Sequence, residues 1–183
     1  GAGNDTLEVY GDAELKGTFT NIENLSVIGA SKGIYDLSSF SKSFTLKAVT
    51  EATKRSEVTV TNVTNQTLVM ADSGHTQMNV EMAADQASVE LVSQNRTNNH
   101  TFHLEKGEAL KSVSLTLDEE DASCVKFKGP KASSIETLAV KAVESSTTGV
   151  ATVDLSSLTG LKDITVTGDA SVRSEERRVG KEC

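Results

Sequence analysis

Apolar residues recur along the chain as pairs two positions apart. Side chains two residues apart leave the same face of a β-strand. The positions between them are mostly Thr, Ser, Asn, Glu or Lys, which suits an outward face. The pattern predicts about fifteen short strands and no long helix. The pairs and triplets are Leu7/Val9, Leu25/Val27, Tyr35/Leu37, Phe44/Leu46, Val58/Val60, Leu68/Met70, Met78/Val80/Met82, Val89/Leu91, Phe102/Leu104, Val113/Leu115/Leu117, Val125/Phe127, Leu138/Val140, Val153/Leu155 and Ile164/Val166.

Two all-β architectures accommodate so many short strands: a β-solenoid of the parallel β-helix type, or a β-sandwich. Two apolar residues per strand are about what one solenoid turn needs. A sandwich usually has longer strands and a large central aromatic residue, whereas this chain has no Trp and only 4% aromatic residues. The pattern therefore favours a solenoid that spans residues 1–172 as a single β-rich repeat segment. The β-sandwich remains the alternative.

An internal repeat supports stacked units. Residues 22–48 and 135–170 both contain an Ile-Glu-x-Leu-x-Val strand, a Gly-containing loop and an Asp-Leu-Ser-Ser segment. The two Asp-Leu-Ser-Ser segments begin at Asp36 and Asp154, which predicts equivalent turns or strand ends. Stacked units tolerate loops of different length because insertions leave the stack on its outer surface.

The last eleven residues, 173–183, differ from the rest of the chain. They read RSEERRVGKEC, seven of them are charged, and the apolar alternation stops at Val172. The string resembles translated read-through of a sequencing adapter, which implies a metagenomic source. We therefore expect residues 173–183 to be a non-native tail, and residues 1–172 to be a fragment of a larger protein.

Charge and hydropathy limit the partners. The net charge is −8, so the chain repels nucleic-acid phosphates, and we expect no nucleic-acid partner. The sequence lacks a run of 18 apolar residues, so we predict no membrane-spanning segment. An acidic surface also suits a secreted protein and divalent cations.

A family resemblance rests on four segments: IENLSVIG, DLSSF, TNVTNQTLVMAD and DLSSLTGLKDITVTG. They resemble the Thr/Ser/Val/Asp-rich repeats of bacterial S-layer proteins and RTX-type secreted adhesins. The resemblance implies an extracellular lattice or adhesion segment at the cell surface, exported by type I secretion and often calcium-dependent. The chain departs from the RTX pattern because it lacks the nonapeptide GGxGxDxφx and has only Gly11-Asp12 and Gly168-Asp169.

One acidic run provides candidate calcium ligands: Asp118, Glu119, Glu120 and Asp121. It follows a strand predicted to end at Leu117, so we expect it on a turn where carboxylates could converge on Ca²⁺. The alternative is a solvated charged turn. We expect no required cofactor, with calcium as the one ion for which the sequence offers ligands.

The residue types of catalysis do not form a recognisable motif. No HExxH, CxxC, GxSxG or P-loop occurs. His75, His100 and His103 are expected on the surface, and His100 and His103 on opposite faces of one strand, where they cannot chelate one metal together. We therefore predict no enzymatic activity and no catalytic residues.

Three functions remain open. The first is a structural segment that acts by β-stacking and self-association with other copies or flanking repeats. The second is a carbohydrate-binding or polysaccharide-lyase-like β-helix with cell-surface polysaccharide as partner. Exposure of Tyr10 or Tyr35 beside several carboxylates would favour that second function. The third is a passenger segment whose catalytic domain lies elsewhere in a longer protein.

Overall fold

The part of the chain that the structure describes forms sixteen strands, named in chain order. The structure, a computed structural model, describes residues 3–47, 55–71, 75–94, 99–119, 124–144, 151–168 and 172–175. These residues contain a single 3₁₀ turn at Ala132–Ser134 and no α-helix. The strands are β1 (Thr6–Tyr10), β2 (Ala13–Leu15), β3 (Asn24–Ile28), β4 (Lys32–Asp36), β5 (Ser43–Lys47), β6 (Arg55–Val63), β7 (Thr67–Ala71), β8 (His75–Met82), β9 (Ser88–Gln94), β10 (His100–Lys106), β11 (Ser112–Glu119), β12 (Cys124–Lys128), β13 (Thr137–Glu144), β14 (Ala151–Asp154), β15 (Asp163–Gly168) and β16 (Val172–Glu175).

The strands alternate between two parallel eight-stranded sheets. Sheet A contains the odd-numbered strands and sheet B contains the even-numbered strands, each in chain order across the sheet. Every strand pairs in parallel with the strand two places along the chain. Each pair of consecutive strands therefore adds one strand to each sheet, which is the winding of a β-solenoid. The solenoid prediction is confirmed, and the sandwich alternative is wrong because sandwich sheets are antiparallel.

The interior consists of columns of apolar side chains that run along the solenoid axis. Parallel register places equivalent inward-facing residues directly above one another. On the opposite sheet, Phe102 pairs with Met78 and Phe127, and the two aromatic rings lie 6.4 Å apart. The longest column crosses all of sheet A and contains Leu7, Leu25, Phe44, Leu68, Leu91, Leu115, Val140 and Val166.

The repeated Asp-Leu-Ser-Ser segments form equivalent turns after β4 and β14. In each, the aspartate carboxylate accepts a hydrogen bond of 2.9 Å from the backbone N–H two residues later, at Ser38 or Ser156. The backbone N–H of Phe40 donates to the Leu37 carbonyl in the first turn, and the N–H of Leu158 donates to the Leu155 carbonyl in the second. These bonds close the turns, and the side chains of Phe40 and Leu158 are buried. The prediction of equivalent turns or strand ends is confirmed, because each aspartate ends its strand and its carboxylate begins the turn.

Partial burial raises the pKa of Asp36, but hydrogen bonds from the Asn62 side chain and from Ser38 outweigh burial. The net pKa is lowered, so the Asp36 carboxylate is ionised in the folded turn. Asn62 itself has a φ of 54°, a conformation that asparagine tolerates better than most residues.

The turn after β6 has a buried polar side chain where an apolar one would be expected. Gln66 is 3% exposed. Its amide Nε2 donates to the backbone oxygens of Leu37, at 3.1 Å, and of Phe40. Its Oε1 accepts from the backbone N–H of Thr64 at 2.7 Å. Gln66 therefore joins two successive turns and satisfies backbone groups that the ladder leaves unpaired.

The two ends of the chain differ from the predicted pattern. β2 was not predicted because its two inward residues, Ala13 and Leu15, form a short and weak burst. β16 includes residues 173–175, which pair with β14 although the sequence assigned them to the tail. Residues 176–183 lie outside the described residues. In the described part of the chain, no helix has the length and apolar character needed to cross a bilayer.

Candidate functional site on the outer face of sheet B

A shallow groove crosses the outer face of sheet B near its N-terminal end. Its volume is about 540 Å³, and it is formed by side chains of β2, β4, β6 and β8 together with the turn before β2. Parallel register stacks these outward-facing side chains into rows, so the groove runs along the solenoid axis. The lining residues are Asp12, Ala13, Glu14, Lys32, Gly33, Ile34, Glu57, Thr59 and Asn79.

Hydrogen bonds between neighbouring strands fix the polar wall of the groove. Glu57 Oε1 accepts from Gln77 Nε2 at 3.3 Å and from Asn79 Nδ2 at 3.1 Å. Gln77 also donates to Asn79 Oδ1 at 2.8 Å, and Asn79 donates to Thr59 Oγ1 at 3.3 Å. The wall therefore presents amide, carboxylate and hydroxyl groups in a fixed arrangement, which is the chemistry that binds hydroxyl-bearing ligands.

Asp12, at the rim of the groove, has a structural role. Its Oδ1 accepts from the backbone N–H groups of Ser31 at 2.7 Å and of Lys32 at 3.0 Å, and from the Ser31 hydroxyl at 3.0 Å. The bonds from Lys32 and then Ser31 lower the pKa of Asp12. The carboxylate thus joins the corner before β2 to the corner before β4.

A second hollow of about 140 Å³ lies on the same face, toward the C-terminal end. Gln77 lines it and also bonds to the wall of the first groove, so the two hollows adjoin. The first hollow carries three acidic residues and one lysine, and the second carries two lysines and no acid. The second hollow is lined by His75, Thr76, Gln77, Asn99, Thr101, Lys126 and Lys128.

The candidate calcium ligands are only partly described. β11 continues to Glu119, so Asp118 and Glu119 lie on a strand and not on the predicted turn after Leu117. Asp118 is half-buried and accepts from Gln94 Nε2 at 3.5 Å. Glu120 and Asp121 lie outside the described residues.

The side chains that the structure describes include no group of three or more His, Cys, Asp or Glu residues placed to hold a metal ion. The predicted calcium site at Asp118, Glu119, Glu120 and Asp121 stays a prediction, since two of its four residues are not described and the side chain of a third is not.

The three histidines take different positions. His100 is fully buried, and its Nδ1 lies 2.7 Å from Ser93 Oγ, which is also fully buried. The prediction of a surface position was wrong for His100, because it lies two residues before Phe102 on the same strand and therefore faces the interior with it. His103 faces outward and contacts Glu105 at 3.0 Å, so the predicted opposite faces are confirmed. His75 is exposed.

The Ser93–His100 pair has the residue types of a nucleophile and a base. Both side chains are buried within the solenoid interior, where a substrate has no access. They share this interior with Thr76, which pairs with His100 across β8 and β10. The pair is therefore a buried polar contact of the core.

The two tyrosines differ as candidate sugar platforms. Tyr35 is fully buried, and burial raises its pKa. The backbone of Ala13 acts in the opposite direction and lowers that pKa in part, although the Tyr35 hydroxyl makes no hydrogen bond of good geometry with any described residue. Tyr10 is 70% exposed and donates to Glu8 at 2.9 Å. Among the described hydrogen bonds one carboxylate, that of Glu8, contacts Tyr10, so the sugar-platform interpretation stays a prediction.

Gly33 explains how Tyr35 fits inside the solenoid. A Cβ at position 33 would lie 2.5 Å from the Tyr35 hydroxyl and 2.6 Å from the Ala13 carbonyl oxygen. Neither contact is sterically possible, so a side chain at position 33 would displace the ring or the strand. Sequence reasoning missed this role, although a glycine two residues before a tyrosine in a strand is a recognisable sign of close packing.

No protein-family model, no curated protein and no solved structure matches this chain.

Proposed function

We propose that this chain is a non-catalytic structural segment of a bacterial surface-layer or giant adhesin protein, located outside the cell. The observation that carries the proposal is the column of inward-facing residues that crosses all eight strands of sheet A without a break. A protein built in this way gains its stability from contacts between neighbouring turns, so the fold provides a stack of defined shape. Such a segment needs no cofactor.

Contacts between successive turns on the outside support the same role. Ser43 donates to Asn24 at 2.8 Å, and Thr67 donates to Glu90 at 3.0 Å, so polar side chains form ladders along sheet A. Glu136 contacts Lys111 at 3.1 Å and Lys162 at 2.6 Å on the turns on either side of it. Exposed ion pairs contribute roughly 0–1 kcal/mol each. Their regular placement fixes the register of the stack more than its stability.

The proposal predicts that the purified chain assembles. Negative-stain electron microscopy over a wide protein concentration range should show filaments or sheets at high concentration. Particles that stay single at every concentration would contradict self-association as the function. A matched sample treated with urea should lose both the assemblies and the far-UV signal of β-structure.

A second candidate function is carbohydrate binding on the outer face of sheet B, and the polar wall of Glu57, Gln77 and Asn79 favours it. An extended polysaccharide could lie along the groove, because its sugar units repeat along the polymer and the polar rows of the groove repeat along the solenoid axis. Titration calorimetry with neutral and anionic polysaccharides tests this candidate. Asn79→Ala should weaken binding, whereas Lys47→Ala, on the outer face of sheet A, should not. Equal effects of the two substitutions, or no heat with any polysaccharide, would reject it.

A further inference from the structure

The second hollow on the outer face of sheet B is cationic, although the chain as a whole has a net charge of −8. Lys126 and Lys128 line it together with His75, and none of the described residues that form its wall is acidic. It lies across β8, β10 and β12, and the sheet continues on both sides of them with β6 and β14. The hollow therefore belongs to the middle of the stack and not to either end.

The size of the second hollow suits a substituent of a sugar and not a sugar ring. Its volume of about 140 Å³ is that of roughly five molecules of liquid water at about 30 Å³ each. A carboxylate, sulfate or phosphate group is of this size, whereas a whole sugar ring is larger. The two lysines favour such an anionic group over a neutral one.

The Asn99 side chain in this hollow is oriented to donate. Its Oδ1 accepts from the backbone N–H of Cys124 at 3.3 Å, so the group that it offers to a ligand is the Nδ2 amide. Thr101 lies in register between Gln77 and Lys126 and is 9% exposed, so it forms part of the floor. Amide, hydroxyl and ammonium donors around one small hollow are the groups that bind an oxyanion.

Gln77, at the boundary with the first groove, is oriented the other way. Its Nε2 donates to Glu57 and Asn79, so its Oε1 is the group that accepts a bond from a ligand hydroxyl. A ligand that suits both hollows carries hydroxyls and an anionic group together. We propose that the second hollow binds the anionic group of an acidic polysaccharide whose sugar hydroxyls contact the polar wall of the first groove. This inference rests on the second candidate function and names its substrate class.

The carboxylates on the flanking strands have hydrogen-bond partners of their own. Glu57 is in register with Gln77 and accepts from its amide at 3.3 Å. Asp154 is in register with Lys126, and its Oδ1 accepts from the backbone N–H of Ser156 at 2.9 Å. Neither carboxylate lines the second hollow. An anionic polysaccharide therefore gains from the two lysines, whereas an uncharged one of the same backbone does not.

Three substitutions that each make the net charge more negative by one test the inference. Lys128→Gln removes a cation of the hollow. Asn99→Asp replaces the amide donor with a carboxylate oxygen and keeps an acceptor for the Cys124 N–H. Lys106→Gln is the matched control, because Lys106 is also exposed on sheet B but contacts Glu81 at 2.7 Å and does not line the hollow. All three variants should melt within about 3 °C of wild type.

Titration calorimetry on the full chain uses polysaccharides of one backbone with and without sulfate groups: dextran with dextran sulfate, and xylan with pentosan polysulfate. Wild type should bind the sulfated member of a pair at least about tenfold more tightly than the uncharged member. Lys128→Gln and Asn99→Asp should each weaken this binding by about tenfold, and Lys106→Gln by less than about twofold.

Each contrary result has its own meaning. Equal affinity for the two members of a pair would overturn the inference and leave the second candidate function standing. Equal losses in Lys128→Gln and Lys106→Gln would show diffuse attraction and would also overturn it. Sodium sulfate that binds as tightly as the polymers, per sulfate group, would show a site for a free anion and overturn it as well. No heat with any polysaccharide would reject the second candidate function itself, and the inference with it.

Discussion

Gln66 offers a sharp test of how the turns of this solenoid are held, and Gln66→Leu is the informative change. Gln66 directly precedes Thr67, which pairs with Glu90, so position 66 extends the column that contains the buried Val89. If packing alone decided stability, leucine would suit this buried position as well as glutamine or better. If the hydrogen bonds decide it, leucine should destabilise the chain.

The structure gives the magnitude. Without the Gln66 amide, the Phe40 carbonyl loses its donor within a buried turn, at a cost of about 1–3 kcal/mol. The Leu37 carbonyl keeps its bond from the Phe40 N–H, and the Thr64 N–H is half-buried, so together these add about 1 kcal/mol. Greater apolar burial of leucine offsets about 1 kcal/mol. The net loss is therefore about 1–3 kcal/mol.

Thermal unfolding followed by circular dichroism measures this loss. For a chain of this size, the melting temperature should fall by roughly 3–10 °C. Gln86→Leu is the matched control, because Gln86 occupies a turn and its side chain bonds only to the neighbouring Asp85 among the described contacts. It should change stability by less than about 0.5 kcal/mol. A Gln66→Leu variant as stable as wild type, or more stable, would refute the reasoning.

Three further predictions concern the core, pH and calcium. Phe102→Ala removes a fully buried ring that contacts Phe127, so it should cost about 3–5 kcal/mol in urea unfolding, and Phe102→Leu should cost less; equal costs would contradict the packing described. The pKa of Asp12 is lowered in the folded chain, so its carboxylate stabilises the fold above about pH 4 and this stability is lost as the pH falls through the folded pKa. The melting temperature of wild type should therefore drop more on acidification than that of Asp12→Asn, and parallel curves would contradict this. Because Asp118 and Glu119 lie in β11 and not on a turn, we expect calcium to shift the melting temperature of the chain by less than about 1 °C relative to a chelator, and a shift of several degrees would indicate a site.

Much of the fold was predictable because strands alternate inward and outward side chains, and this alternation appears in the sequence as apolar residues two positions apart. The pairs Leu25/Val27, Phe44/Leu46 and Leu68/Met70 all lie in strands and are fully buried. Low aromatic content and short bursts correctly favoured the solenoid. The parallel direction of the strands followed from the stacked repeat, since neighbouring turns of a solenoid wind the same way.

The rest required tertiary contacts that no local pattern contains. β2 has one weak pair, and its strand forms because β4 offers a parallel edge. His100 was misplaced because histidine is usually polar and exposed, although its alternation with Phe102 indicated the interior. The groove on sheet B depends on the register that brings Glu57 beside Gln77 and Asn79 from another turn, and register between strands far apart in sequence cannot be read from either strand alone.

The central claim is that every turn adds one parallel strand to each sheet in fixed register, and distances between spin labels test it directly. Labels on introduced non-natural residues at Glu8, Thr45, Thr116 and Thr167 would all report on one outward row of sheet A. At about 4.8 Å per strand, backbone separations should be about 14 Å for 45 and 116, about 24 Å for 45 and 167, and about 34 Å for 8 and 167. Measured distances that increase in this linear order would support the solenoid. A separation of 8 and 167 shorter than that of 45 and 167 would contradict it.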